Sequence, residues 1–96
     1  MPYPKLKMLI AGEWTDGHSG KNEAVICPAD GSEIGRVPHA NKQDLNDALE
    51  SSLEGFNTWR LKTPHNRQAI LEKTARLLEQ RFEDISQNLT REMGKP

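Results

Sequence analysis

The stretch Glu33-Ile34-Gly35-Arg36-Val37-Pro38-His39-Ala40-Asn41-Lys42-Gln43-Asp44-Leu45 decides the fold class, because the spacing of its apolar residues changes inside it. Glu33 to Val37 reads as an extended run that Pro38 ends. After it, Asn41 stands where a helix cap is expected, with Asp44 in the first turn. Leu45, Ala48, Leu49, Leu53 and Phe56 then recur every three to four residues. Extended segments on one side and a helical period on the other predict an α+β chain, strands first and helices afterwards.

Toward the N-terminus, Leu6, Met8 and Ile10 alternate with Lys5, Lys7 and Leu9, the two-residue period of a strand with one buried face. Ala11-Gly12 reads as a turn and Glu13-Trp14-Thr15 as the antiparallel return of a hairpin. A polar loop, Asp16 to Lys21, leads to a second strand at Ala24-Val25-Ile26-Cys27. The turn Pro28-Ala29-Asp30-Gly31 stops it.

Toward the C-terminus, Gly55 and Asn57 mark where the first helix should fray. Thr63-Pro64 is a second start, with threonine as N-cap and proline at the first helical position. Leu71, Ala75, Leu78, Phe82, Ile85, Leu89 and Met93 line one face, and Gly94 supplies a left-handed stop before Pro96. The run from Pro64 to Met93 exceeds ordinary helix lengths, so a break is expected between Arg81 and Asp84, giving two to three helices in all.

Composition sets limits on function. The chain has 96 residues, 34% of them apolar and 28% charged, with a net charge of −1. That is a thin core for a free-standing domain, and it predicts apolar faces that need a partner. Balanced charge argues against nucleic acid, since polyanion binding needs clustered positive charge. A single cysteine excludes a disulfide framework and a multi-thiolate zinc site. Leu6 to Ala11 is too short for a signal-peptide core, and no window approaches the ~20 apolar residues of a membrane span. The expectation is a cytoplasmic protein with no membrane partner.

Each chemical motif is weaker than its structural alternative. Gly17-His18-Ser19-Gly20-Lys21-Asn22 has the look of a phosphate loop, but Thr15 and Asn22 occupy positions that need glycine and Ser or Thr, and the loop joins two extended segments. The glycines nowhere form a dinucleotide fingerprint. Cys27 ends an apolar strand with no base beside it in sequence and is read as a small core residue. His18, His39 and His65 have no second ligand at metal-binding spacing. Asn88-Leu89-Thr90 matches a glycosylation sequon by coincidence, inside the helical stripe. That stripe would suit a coiled-coil seam, but the interruption before Glu83 favours core packing. Trp14 and Trp59 are read as anchors between layers.

In order along the chain, four landmarks resemble the N-terminal segment of the NAD(P)-dependent aldehyde dehydrogenase superfamily. Ile10-Ala11-Gly12-Glu13-Trp14 is similar to the family's opening hairpin, followed by Ser19-Gly20-Lys21. Val25 to Ile34 is similar to its asparagine-proline-alanine-threonine-glycine turn, with Cys27 where asparagine is usual and Asp30 where threonine or asparagine is common. Trp59-Arg60 and Pro64 with Arg67, Ile70 and Leu71 match its tryptophan and following helix. Glu92-Met93-Gly94-Lys95-Pro96 is like its glutamate-x-glycine-lysine-proline helix end.

The resemblance implies that residues 1–96 are a single N-terminal segment without a complete domain boundary, part of a larger Rossmann-like α/β cofactor-binding domain. It implies a parent enzyme that oxidises an aldehyde or semialdehyde to the acid with NAD or NADP, through a thiohemiacetal and a thioester. The family's catalytic and cofactor-binding residues lie downstream, so none is assigned here and the segment itself is expected to be inactive and to bind no cofactor. The implied partners are the remainder of the enzyme chain, a small aldehyde substrate and further copies in a homo-oligomer. Backbone carbonyls of Val25 and Ile26 match a segment that holds a monovalent cation in some members. The alternative is a stand-alone helical interaction module that associates through the Leu71 to Met93 stripe.

Overall fold

The computed structural model describes residues 2–96. β1 (Met8–Ile10) and β2 (Glu13–Thr15) form an antiparallel hairpin, with Met8 opposite Thr15 and Ile10 opposite Glu13. Its turn residues Ala11 (φ 53°) and Gly12 (φ 77°) are both left-handed, so the turn twists with the strands as a tight hairpin requires. The strand begins at Met8 rather than Leu6, because only three residues pair across so short a hairpin.

β3 (Asn22–Ile26) and β4 (Glu33–Pro38) form a second antiparallel pair. Val25 faces Gly35 and Ile26 faces Glu33, so Ile34 is the extra residue of a bulge at the Val25/Ile26 step. The connecting turn closes through Cys27 N–H to the Ser32 carbonyl and Gly31 N–H to the Cys27 carbonyl, each 2.8 Å. Asp30 braces it by accepting from Ser32 N–H (2.9 Å) and the Ser32 hydroxyl (2.7 Å).

α1 (Lys42–Arg60) runs straight through Gly55 and Asn57, correcting the expected fraying. One glycine costs roughly 1 kcal/mol, too little to break a helix whose stop is supplied by the following Thr63-Pro64 start. A Cβ added at Gly55 would meet nothing within 4 Å. Gly55→Ala should therefore stabilise α1 by ~0.5–1 kcal/mol. Thermal melts followed by far-UV circular dichroism should show more helical signal at a given temperature; a loss would mean that another group closely approaches Gly55.

α2 (Pro64–Gln80) starts as expected, with the Thr63 hydroxyl accepting from Asn66 N–H at 3.2 Å. The break falls at Arg81, and α3 (Phe82–Met93) ends at Gly94 with φ 70°. The space around Gly94 is as confining as its φ: an added Cβ would lie 2.9 Å from the Ala29 nitrogen and 3.2 Å from Pro28 Cβ. The end of α3 thus rests on the β3–β4 turn. Tyr3 joins the same corner. Its ring closes the space beside Gly35 and its hydroxyl donates to Glu92. Burial first, then that carboxylate, push the phenol up to about 12.

The elements do not enclose a common core. Cys27 is the only buried apolar residue and Asp44 the only buried charged one among the described residues. The radius of gyration is 16.8 Å and the extents are 48 × 35 × 16 Å, whereas a compact chain of this length has a radius near ~12.5 Å. Leu45, Leu49, Leu53 and Phe56 on α1, and Leu71, Leu78, Phe82, Ile85, Leu89 and Met93 on α2 and α3, are all exposed. The periodic stripes are real, but the expected core packing is not made within this chain. Trp14, 68% exposed, anchors no layer here, and Trp59 is only half-buried in a surface groove. A single layer about one helix and one sheet thick has no opposite wall for these faces.

Candidate functional site

A polar cluster joins the loop after β2 to the start of α1. Asn41 and Asp44 form a reciprocal capping box: Asp44 N–H donates to Asn41 Oδ1 and Asn41 N–H to Asp44 Oδ2, each 2.9 Å. The same carboxylate accepts His18 N–H on Oδ2 at 3.1 Å and faces His18 Nδ1 with Oδ1 at 2.5 Å. Asp44 is 2% exposed. The Asn41 N–H first, then the His18 donors, hold its carboxyl below the usual aspartate range, against a burial that pushes it up. Gly17 gives this cluster room, since an added Cβ would strike Met8 Cε at 2.3 Å and Asp44 Oδ2 at 2.7 Å.

This arrangement fixes the hairpin to α1; it is not built for proton transfer. The N–H groups of Asn41 and His18 and the His18 ring converge on one carboxylate held ionised, and Glu13, Asp47, Glu50 and Glu54 line the adjoining cleft. Three amides of the Gly17–Lys21 loop are already engaged. Gly17 N–H donates to Thr15 Oγ1 (3.0 Å), His18 N–H to Asp44, and Lys21 N–H to Ser19 Oγ (3.1 Å). Those amides are spent internally and do not converge on a shared anion. Two nearby cations are paired: Lys7 with Asp16 at 3.2 Å, and Arg36 with Glu33 at 2.5 Å and Asn22 at 2.6 Å.

Cys27 is buried at the mouth of the β3–β4 turn, as its apolar context predicts. Its neighbour Asp30 is held below the usual range by the Ser32 hydroxyl and N–H, with the Cys27 thiol a lesser donor. Val25 is half-buried and Ile26 exposed, one on each side of the register break. Among the described residues, no group of three or more His, Cys, Asp or Glu could hold a metal ion. Among the described residues, no helix is long and apolar enough to cross a membrane.

The sequence reading placed Asp44 in the first turn of α1 but missed its bond to His18. The Asn-x-x-Asp spacing signals the capping box; nothing local signals a partner 26 residues away. Tyr3 and Glu92, 89 residues apart, were invisible for the same reason.

The architecture is thus an open α+β layer, pinned at two polar junctions, with its apolar helix faces exposed. Comparison with known proteins gives that layer a family. The aldehyde dehydrogenase family model matches residues 14–96. The chain belongs to the aldehyde dehydrogenase family. It is 42% identical over 91 residues to malonate-semialdehyde dehydrogenase 2 of Geobacillus kaustophilus, covering 94% of this chain and 19% of that protein. It is also 42% identical over 92 residues to malonate-semialdehyde dehydrogenase of Halalkalibacterium halodurans, again 19% of the relative. The crystal structure of an aldehyde dehydrogenase from Bartonella henselae superposes with a TM-score of 0.90 at 28% identity, over 96% of this chain and 19% of that one. The chain therefore spans about a fifth of the length of the relatives it matches, as their N-terminal segment.

Proposed function

We propose that these residues are the N-terminal supporting segment of an enzyme that oxidises an aldehyde or semialdehyde to the carboxylic acid with NAD or NADP, and that alone they have no dehydrogenase activity. The observation that carries this reading is the set of exposed apolar faces on α1, α2 and α3 in a chain that matches a fifth of its relatives' length. The relatives' names favour a semialdehyde, a small substrate with an acidic end. None of the described residues fits a dinucleotide, for want of a glycine fingerprint, so no part of the hydride transfer is assigned to them. The 96 residues form one segment with no complete domain boundary inside it, in an enzyme we place in the cytoplasm as a homo-oligomer.

We extend the proposal to a monovalent cation on the carbonyls of Val25 and Ile26. The break in register lies at the Val25/Ile26 step, and each of these carbonyls has two lone pairs, of which a ladder hydrogen bond uses only one. Among the described residues, side chains offer no rival set of three or more His, Cys, Asp or Glu.

A fusion tests these points: the 96 residues followed by the remaining four fifths of the Geobacillus kaustophilus relative. The fusion should reduce NAD+ in the presence of malonate semialdehyde, while the 96 residues alone should not. Replacing potassium and sodium by tetramethylammonium should lower its thermal midpoint. A fusion that neither folds nor turns over, beside an active intact relative, would overturn the supporting-segment reading; an unchanged midpoint would remove the cation.

A further inference from the structure

Among the described residues, Arg67 Nε is the buried side-chain nitrogen or oxygen that has no hydrogen-bond partner. It belongs to a groove of about 580 Å³ that runs from the end of α1 along the first half of α2, lined by Trp59, Pro64, Arg67, Leu71 and Ala75. The helical members are spaced three or four residues apart, so they form one stripe of α2. Glu72 lines the same groove, yet its carboxylate accepts from Gln68 Nε2 at 2.9 Å and does not reach Arg67. A cationic fork is thus set into an apolar groove whose own carboxylate is already engaged.

We propose that this groove seats a segment of the enzyme lying outside these 96 residues, one that brings a carboxylate to Arg67 and an apolar side chain to Trp59 and Leu71. The inference rests on the supporting-segment reading and deepens it by naming the chemistry of one contact. Relatives about five times longer supply the source of the segment. The orphaned donor supplies the chemistry: the N–H of a cation turned away from water favours an ionised acceptor over a neutral carbonyl. The groove is an open trough, suited to polypeptide.

The test is the crystal structure of the fusion together with its unfolding as Arg67→Met and Arg67→Lys variants. The structure should show an Asp or Glu oxygen from beyond residue 96 within ~3 Å of Nε. Arg67→Met, which keeps the apolar stem, should shift the unfolding equilibrium at least about tenfold toward the unfolded state. That difference should shrink in acid as the carboxylate protonates, and Arg67→Lys should recover part of it. A purely structural arginine would give a loss independent of pH. A folded, active fusion whose groove is empty, holds a second copy or offers Arg67 only a neutral acceptor overturns this inference alone. An unfolded or inactive fusion overturns the supporting-segment reading and takes the inference with it. If Arg67→Met fails to fold, the parent structure and Arg67→Lys still decide.

Discussion

The 96-residue chain on its own should bind a hydrophobic dye strongly and associate without fixed stoichiometry. It exposes 7733 Å², against about 5,500 Å² for a compact protein of its mass. The excess, roughly 2,000 Å² on one partner, is what an obligate interface would bury. Its chemistry agrees: Leu45, Leu49, Leu53 and Phe56 line one helix, and Leu78, Phe82, Ile85 and Leu89 run across the next two. Leu49 is 67% exposed and Phe82 66%, values foreign to the buried stripe of a stable helix. Contiguous apolar surface of this extent drives non-specific association in water. Analytical ultracentrifugation should therefore show a broad distribution of species, and dye fluorescence should fall once the segment is part of the fusion. A sharp dimer that Leu78→Asp dissociates would instead support the stand-alone interaction module. A clean monomer that excludes dye would defeat both readings.

What was legible in the sequence was local. Asn41, Thr63-Pro64, Arg81 and Gly94 each mark a helix boundary through the conformation of one or two residues, and each lies where the pattern puts it. The hairpin at Ala11-Gly12 and the turn at Pro28–Gly31 are set in the same way. Gly55 misled because a single unfavourable residue was weighed without its neighbours, whose hydrogen bonds outweigh it. The stripes from Leu45 and Leu71 misled differently: periodicity tells which face is apolar, not whether the same chain covers it. The polar junctions at His18–Asp44 and Tyr3–Glu92 depend on how distant elements meet, which no local spacing encodes. Cys27 is buried where its context predicts, because burial of a small apolar residue at a strand end is again a local property.

The second large effect is expected at Asp44. In the fusion, Asp44→Ala should lower the thermal midpoint more than any other single substitution at the hairpin–α1 junction. It leaves the N–H groups of His18 and Asn41, and the imidazole Nδ1, facing a space that no longer accepts them. Gly17→Ala should reproduce the phenotype from the other side, because its methyl would enter the space of the carboxylate and of Met8 at φ +78°. Asp44→Asn separates hydrogen bonding from charge. Its amide oxygen can still accept both backbone N–H groups, while its NH₂ can donate to Nδ1 in the other ring tautomer. Neutral stability should then be largely kept. The acid dependence should not. Asp44 has its folded carboxyl held below the ordinary value by Asn41 and His18, and the unfolded chain titrates near ~3.9. Its stabilising contribution is therefore complete above that unfolded value and is lost as pH falls through the lower folded one. Wild type and Asp44→Asn should differ by a constant amount from neutral pH down to about 4, and converge below it. Parallel acid limbs would show that the carboxylate is not held ionised by the junction, and an Asp44→Ala midpoint equal to wild type would show that the junction does not hold the hairpin to α1.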